Sequence, residues 1–144
     1  MIKDIFFTLF DHSKKKRIGT IQISLNQNKD SSIRNFLSLA IGNLGQSFKG
    51  SKLYRSGGSF NGGIKLKSVT QSHLKKEEKC SIWIPDLGDI YKSSSSSGNY
   101  FNFSVNTSNH SLQDRPKLGH IKNLDKLQSC QGNILEIMDC GVIF

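Results

Sequence analysis

Apolar residues come in short bursts along this chain, and the spacing inside each burst separates strands from helices. Ile2 to Phe10 is a nearly continuous apolar and aromatic run without a helix cap, which predicts a buried strand. Ile21, Ile23 and Leu25 then alternate with Gln22 and Ser24, the period of a half-buried strand. Between them, Asp11-His12-Ser13-Lys14-Lys15-Lys16-Arg17 reads as a hairpin loop with four consecutive cations at its exposed tip. The clearest helical signal follows. Asp30, Ser31 and Ser32 offer N-cap oxygens. Ile33, Phe36, Leu37, Ala40, Ile41 and Leu44 recur at the +3/+4 spacing of one helix face. Gly42 and Gly45 mark the end. This predicts a helix near 31–43 whose face of Ile33, Phe36, Leu37, Ala40 and Ile41 packs on a sheet, with Arg34 and Asn35 outside.

Further along, 56–63 reads as a flexible turn region. Ile64 to Val69 reads as a strand with lysines on one face, 73–79 as a charged connection, and Cys80 to Ile84 as a strand stopped by Pro85. Residues 93–98 form a Ser-rich loop. Tyr100 to Val105 alternates as a strand does. Pro116 to Leu127 predicts a helix with proline in its first turn. Ile134 to Met138 and Val142 to Phe144 make a last strand or hairpin. The expected fold class is α+β: a small antiparallel β-sheet packed by one clear amphipathic helix and a second, C-terminal helix.

Composition narrows this picture. A length of 144 residues fits a single domain over 1–144, and 35% apolar content makes its core a thin one. Ala40 is the lone alanine, and only two glutamates precede Glu136, which argues against a helical bundle. Charge divides the chain. Lys+Arg exceeds Asp+Glu by 9 overall, and the whole of the excess lies in a basic half, about 1–76; the half from about 77 to 144 is near neutral and slightly acidic. No acid lies between Asp30 and Glu77. One-sided charge costs self-repulsion that an anionic partner relieves. The candidate anion-binding residues, for phosphate or a lipid headgroup, are Lys14, Lys15, Lys16, Arg17, Lys49, Lys52, Arg55, Lys65 and Lys67. Nucleic acid and lipid both present phosphate to a lysine, so the sequence leaves the two open. Phe48, Tyr54 and Phe60 interleave with these cations, as stacking platforms for single strands do, and equally as anchors of a loop on the core.

Little points to catalysis. His12, His73, His110 and His120 are scattered, and no Walker loop, Gly-x-Ser-x-Gly or His-Glu-x-x-His occurs. Asp86 and Asp89 read as turn or cap residues. His120, Cys130 and Cys140 lack the close ligand pair of structural zinc. Cys80, Cys130 and Cys140 are expected as free thiols in a reducing compartment. An intracellular protein is expected, without signal peptide or transmembrane helix, with the Lys14–Arg17 run as a candidate nuclear import tag. No catalytic residue, metal or cofactor is expected.

The order of elements resembles the core of rhabdovirus matrix proteins. The matching stretch runs from Ile18-Gly19-Thr20-Ile21-Gln22-Ile23-Ser24-Leu25 through the loop 26–31, the helix near 32–44 and the glycine-containing basic stretch 45–67. Cys80-Ser81-Ile82-Trp83-Ile84-Pro85 and the alternating Tyr100 to Val105 follow in the same order. The resemblance implies a non-enzymatic viral structural protein that bridges a nucleocapsid and an anionic membrane in virion assembly and associates with itself. The alternative is a small basic nucleic-acid-binding viral accessory protein, such as a silencing suppressor.

Overall fold

The computed structural model describes residues 2–27, 30–76, 82–93, 99–108 and 113–144. In chain order the elements are β1 (Asp4–Asp11), β2 (Lys16–Leu25), α1 (Ser31–Ile41), β3 (Lys52–Ser56), β4 (Ser59–Lys65), α2 (Ser68–His73), β5 (Ile82–Trp83), β6 (Asp89–Lys92), β7 (Tyr100–Asn106), β8 (Arg115–Ile121), α3 (Asp125–Gln128) and β9 (Ile134–Ile143). Neighbouring strands run β2-β1-β9-β3-β4-β7-β6-β8, and β8 pairs back onto β2, so eight antiparallel strands close a barrel. The two-residue β5 adds to the free end of β8. This corrects the expected α+β sheet packed by two helices: the chain is mostly β, and its sheet closes on itself.

Closure removes the exposed edges of an open sheet, and a ring of eight strands leaves an interior that side chains just fill. Ile5, Phe7 and Leu9 from β1, Ile21 and Ile23 from β2, and Leu53, Phe103 and Ile137 from β3, β7 and β9 are almost fully buried there. At the seam, Ile23 faces Ile121 and Leu25 faces Gly119. A Cβ at Gly119 would stand 2.6 Å from the Ser24 carbonyl oxygen, so the seam needs glycine at that point.

The predicted helix forms, as α1, and ends at Gly42, whose φ of 80° gives the left-handed C-cap. Phe36 meets the rings of Phe7, Phe48, Phe101 and Phe103 at 5.4–6.2 Å between centroids. β1 and β7 lie on well-separated arcs of the ring, so a side chain that touches both projects into the barrel, and α1 is its plug. Ile33, Phe36 and Ala40 are buried and Leu37 is partly buried, while Ile41 is 39% exposed and Leu39 is buried. Asn35 was expected outside and is buried instead. Its amide nitrogen donates to the Lys75 carbonyl and its oxygen accepts from the Lys75 N–H, both at 2.9 Å, which ties the segment after α2 to the plug.

The predicted helix over 116–127 does not form. Leu118, Ile121, Leu124 and Leu127 fall at helical spacing, but Leu118 and Ile121 belong to β8, where the register shifts opposite Ile90 and Tyr91. Leu124 and Leu127 sit in the following turn and α3. The strand expected over Ile64 to Val69 ends at Lys65, and α2 takes up Ser68 and Val69. The C-terminal pieces join into one long strand, β9. Of the strand expected over Cys80 to Ile84, only Ile82 and Trp83 are described as strand, and Cys80 lies outside the described residues, as do residues 94–98 of the Ser-rich loop.

Asp11 anchors the β1–β2 hairpin. Its carboxylate accepts from the backbone N–H of Ser13 at 2.9 Å and of Lys14 at 3.2 Å, and from the Cys130 thiol at 3.4 Å. Burial pushes its pKa upward, but these donors and the Lys14 charge outweigh it, and the carboxyl titrates below its ordinary value. A carboxylate depressed in the folded state stabilises above its unfolded pKa of about 3.9 and loses that contribution as pH falls through the lower folded value. The urea midpoint should therefore fall as pH drops below about 4, and more steeply in wild type than in Asp11→Asn. Equal steepness in the two proteins would remove Asp11 from the explanation.

Candidate functional site

The outer face of β3, β4 and β7 carries a groove of about 470 Å³. Strand register builds it row by row. Tyr54, Asn61 and Ser104 lie level with one another on the three strands. Gly63 lies opposite Asn102, and Lys65 opposite Tyr100. Lys52, Gly62 and Ser93 complete the lining. Tyr54 is 52% and Tyr100 44% exposed, so two phenol rings stand as walls over a floor of amides, hydroxyls and bare backbone.

The floor is ordered by a short chain of hydrogen bonds. The Ser104 hydroxyl donates to the Asn61 side-chain oxygen at 2.7 Å, and the Ser93 and Ser104 hydroxyl oxygens lie 2.9 Å apart. With its oxygen engaged, Asn61 has its NH₂ group left as the donor, and among the described residues no acceptor takes it. Gly62 faces the other way: a Cβ there would collide with Leu53 and Phe103 inside the barrel, so the missing side chain keeps the wall thin beneath the groove.

The nine cations proposed from the sequence do not share one surface. Lys14 and Lys15 occupy the turn between β1 and β2, with Lys16 and Arg17 opening β2, and all four are exposed. Lys49 is exposed in the connection from α1 to β3, and Lys67 is the N-cap of α2. Lys52 and Lys65 line the groove. Arg55 is turned to another task. Its guanidinium lies 4.5 Å from the centroid of the buried Phe60 ring and donates to the carbonyls of Cys130 and Gly132, pinning the 130–132 turn to β3. Phe48 and Phe60 are core residues, whereas Tyr54 is exposed.

Groups considered for metal or acid–base work lie apart. His120 Nδ1 is 2.8 Å from the buried Asp89 carboxylate, with the Lys117 ammonium 3.4 Å from the same oxygen. Cys130 meets Asp11, and Cys140 is on β9; burial pushes both thiols above their ordinary pKa. His110 lies outside the described residues. Among the described residues no three His, Cys, Asp or Glu side chains gather as a metal would need. No helix among them is long and apolar enough to cross a membrane.

Asn61, Asn102 and Ser104 were not among the candidate site residues read from the sequence. The alternation over Tyr100 to Val105 identified a strand, but which face would be covered depends on β3 and β4. Most of β4 was hidden in what read as a flexible turn region over 56–63, of which only Gly57 and Gly58 form the turn, and β3 lay in the basic stretch 45–67 with no strand expected there.

The fold, a closed eight-stranded antiparallel barrel with little helix, is shared with a solved cyclophilin-type protein. The chain is similar to the crystal structure of a cyclophilin-type peptidyl-prolyl cis-trans isomerase from Cryptosporidium parvum, with a TM-score of 0.61 and 12% identity over 100% of this chain and 99% of that one. No family model matches the sequence, and no curated protein matches it. The likeness concerns the fold, and it overturns the resemblance to rhabdovirus matrix proteins. That resemblance rested on the order of strand, helix and basic stretch, an order that the barrel also produces. The viral matrix protein, the silencing suppressor and the non-enzymatic reading are corrected with it, since the fold is one that an isomerase uses.

Proposed function

We propose that the chain binds extended polypeptide segments in the β3–β4–β7 groove and catalyses rotation about X–Pro peptide bonds. The observation that carries this reading is the groove itself: two tyrosine walls over an amide-and-hydroxyl floor on the outside of a cyclophilin-type barrel.

The chemistry asks for little more than positioning. Amide resonance sets a rotation barrier of about 18–20 kcal/mol, and X–Pro bonds interconvert unaided in tens to hundreds of seconds. Twisting the bond localises a lone pair on the prolyl nitrogen. A donor already aimed at that nitrogen stabilises the twisted state more than the planar one, which is what lowers a barrier. Asn61 is that donor. Ser104 holds its oxygen, and Ser93 holds Ser104, so the NH₂ group is oriented before substrate arrives. The Tyr54 ring, level with Asn61, shields the pyrrolidine ring from water, while Tyr100, level with Lys65 further along the groove, covers the next residues of the peptide. No covalent intermediate is needed.

Titrating an Ala-Ala-Pro-Phe peptide into isotope-labelled protein tests the location. Amide shifts should concentrate at Tyr54, Asn61 to Gly63, and Tyr100 to Ser104. Shifts confined to the opposite side of the barrel, or none at millimolar peptide, would overturn the reading.

A further inference from the structure

The groove carries positive charge at one end. Lys52 lies two residues from Tyr54 on β3, and Lys65 lies four residues from Asn61 on β4, both on the groove side. At roughly 3.3 Å per residue, their ammonium groups attach roughly 7 and 13 Å from the row of Tyr54, Asn61 and Ser104. Gly63 places no side chain between them. Among the described residues that line the groove there is no carboxylate, and neither lysine is within ion-pair distance of one. Glu136 faces Lys52 across β9, but its Oε1 is 2.9 Å from His12 Nε2. The other end of the groove is neutral, with Asn61, Ser93 and Ser104.

We propose that this groove selects acidic polypeptide: an Asp or Glu side chain two to four residues from the proline, received by Lys52 and Lys65. The proposal rests on the peptide-binding reading above and adds the substrate class to it. A proline held between Tyr54 and Asn61 puts its neighbour at this remove over the two ammonium groups, because an extended chain advances by the same roughly 3.3 Å per residue as the strands beneath it. A carboxylate there meets two cations, and the nearest like charge, Glu136, lies outside the groove lining and is engaged by His12, while a lysine in that place meets like charge. A single-stranded nucleic acid also takes tyrosines and lysines. The floor of Asn and Ser side chains favours the peptide, whose own amides those side chains can match.

The test compares two blocked peptides, Glu-Ala-Ala-Pro-Ala-Ala-Glu and its counterpart with Gln at both ends, by calorimetry at low salt, on wild type and on the Lys52→Gln/Lys65→Gln double variant. Wild type should prefer the Glu peptide by about three- to tenfold, as expected of partly exposed ion pairs. The preference should shrink with added salt and vanish in the double variant. Equal affinities in wild type would overturn the charge selection and leave the peptide-binding reading standing. A preference that survives in the double variant would overturn the assignment to these lysines. Binding of neither peptide would overturn both, as would a single-stranded oligonucleotide that displaces the Glu peptide at lower concentration than the peptide itself binds.

Discussion

Phe36→Ala should remove about 3–5 kcal/mol of folding stability, the usual cost of deleting a fully buried phenyl ring. Phe36 is completely buried, and its ring stands against four others: Phe7 from β1, Phe48 from the loop after α1, and Phe101 and Phe103 from β7. These rings approach edge-on or offset, so their pairwise attraction adds to the area that they bury. None of the four can move into the space without leaving its own strand or loop position, and the cavity therefore stays open. A domain of this size holds about 5–15 kcal/mol in total, so the variant should approach the edge of folding. Equilibrium urea unfolding followed by circular dichroism measures it. A loss under about 1 kcal/mol would mean that α1 does not plug the barrel, since an exposed phenyl costs little to remove.

Tyr54→Ala should act in the opposite way, weakening peptide binding by about 10–100-fold while leaving the urea midpoint nearly unchanged. Burying an aromatic side chain against a ligand contributes about 1.5–3 kcal/mol, and each 1.4 kcal/mol is tenfold in affinity. In the free protein that burial has not happened, because Tyr54 is 52% exposed and its cross-strand neighbour is Ile134, itself 36% exposed. Fluorescence anisotropy with a labelled proline peptide gives the affinity. An unchanged affinity would move the binding site off this face.

How much of this could be read from the chain differs from element to element. The β1–β2 hairpin and α1 were legible because each is decided locally: Ile21, Ile23 and Leu25 alternate within one strand, and Ile33, Phe36 and Ala40 repeat within one helix. Barrel closure is not local. It depends on β8 reaching β2 across nearly a hundred residues, and the sign of it in the sequence is a single glycine, Gly119, at the seam. The helical spacing of Leu118, Ile121, Leu124 and Leu127 arises from a strand with a register shift followed by a short helix, a combination that imitates one amphipathic helix. The charge pattern was real, but a linear tally could not sort it. Arg55 spends its charge on two carbonyls and a ring inside the fold, Lys14 to Arg17 stand at a hairpin, and Lys52 and Lys65 come together only because β3 and β4 pair. The groove residues were missed for the same reason: Asn61 and Ser104 are unremarkable 43 positions apart in sequence and become a donor and its holder when β4 pairs with β7.

The rate of prolyl isomerisation tests the central claim most directly. In exchange spectroscopy on an Ala-Ala-Pro-Phe peptide, catalytic amounts of wild-type protein should raise cis–trans interconversion far above the unaided rate of tens to hundreds of seconds. Asn61→Ala should lose about 100–1,000-fold of that acceleration, the range seen when one oriented donor is removed, while a variant with Lys14, Lys15, Lys16 and Arg17 all changed to Ala should keep it. Interconversion that stays at the unaided rate even with equimolar wild-type protein would contradict the account.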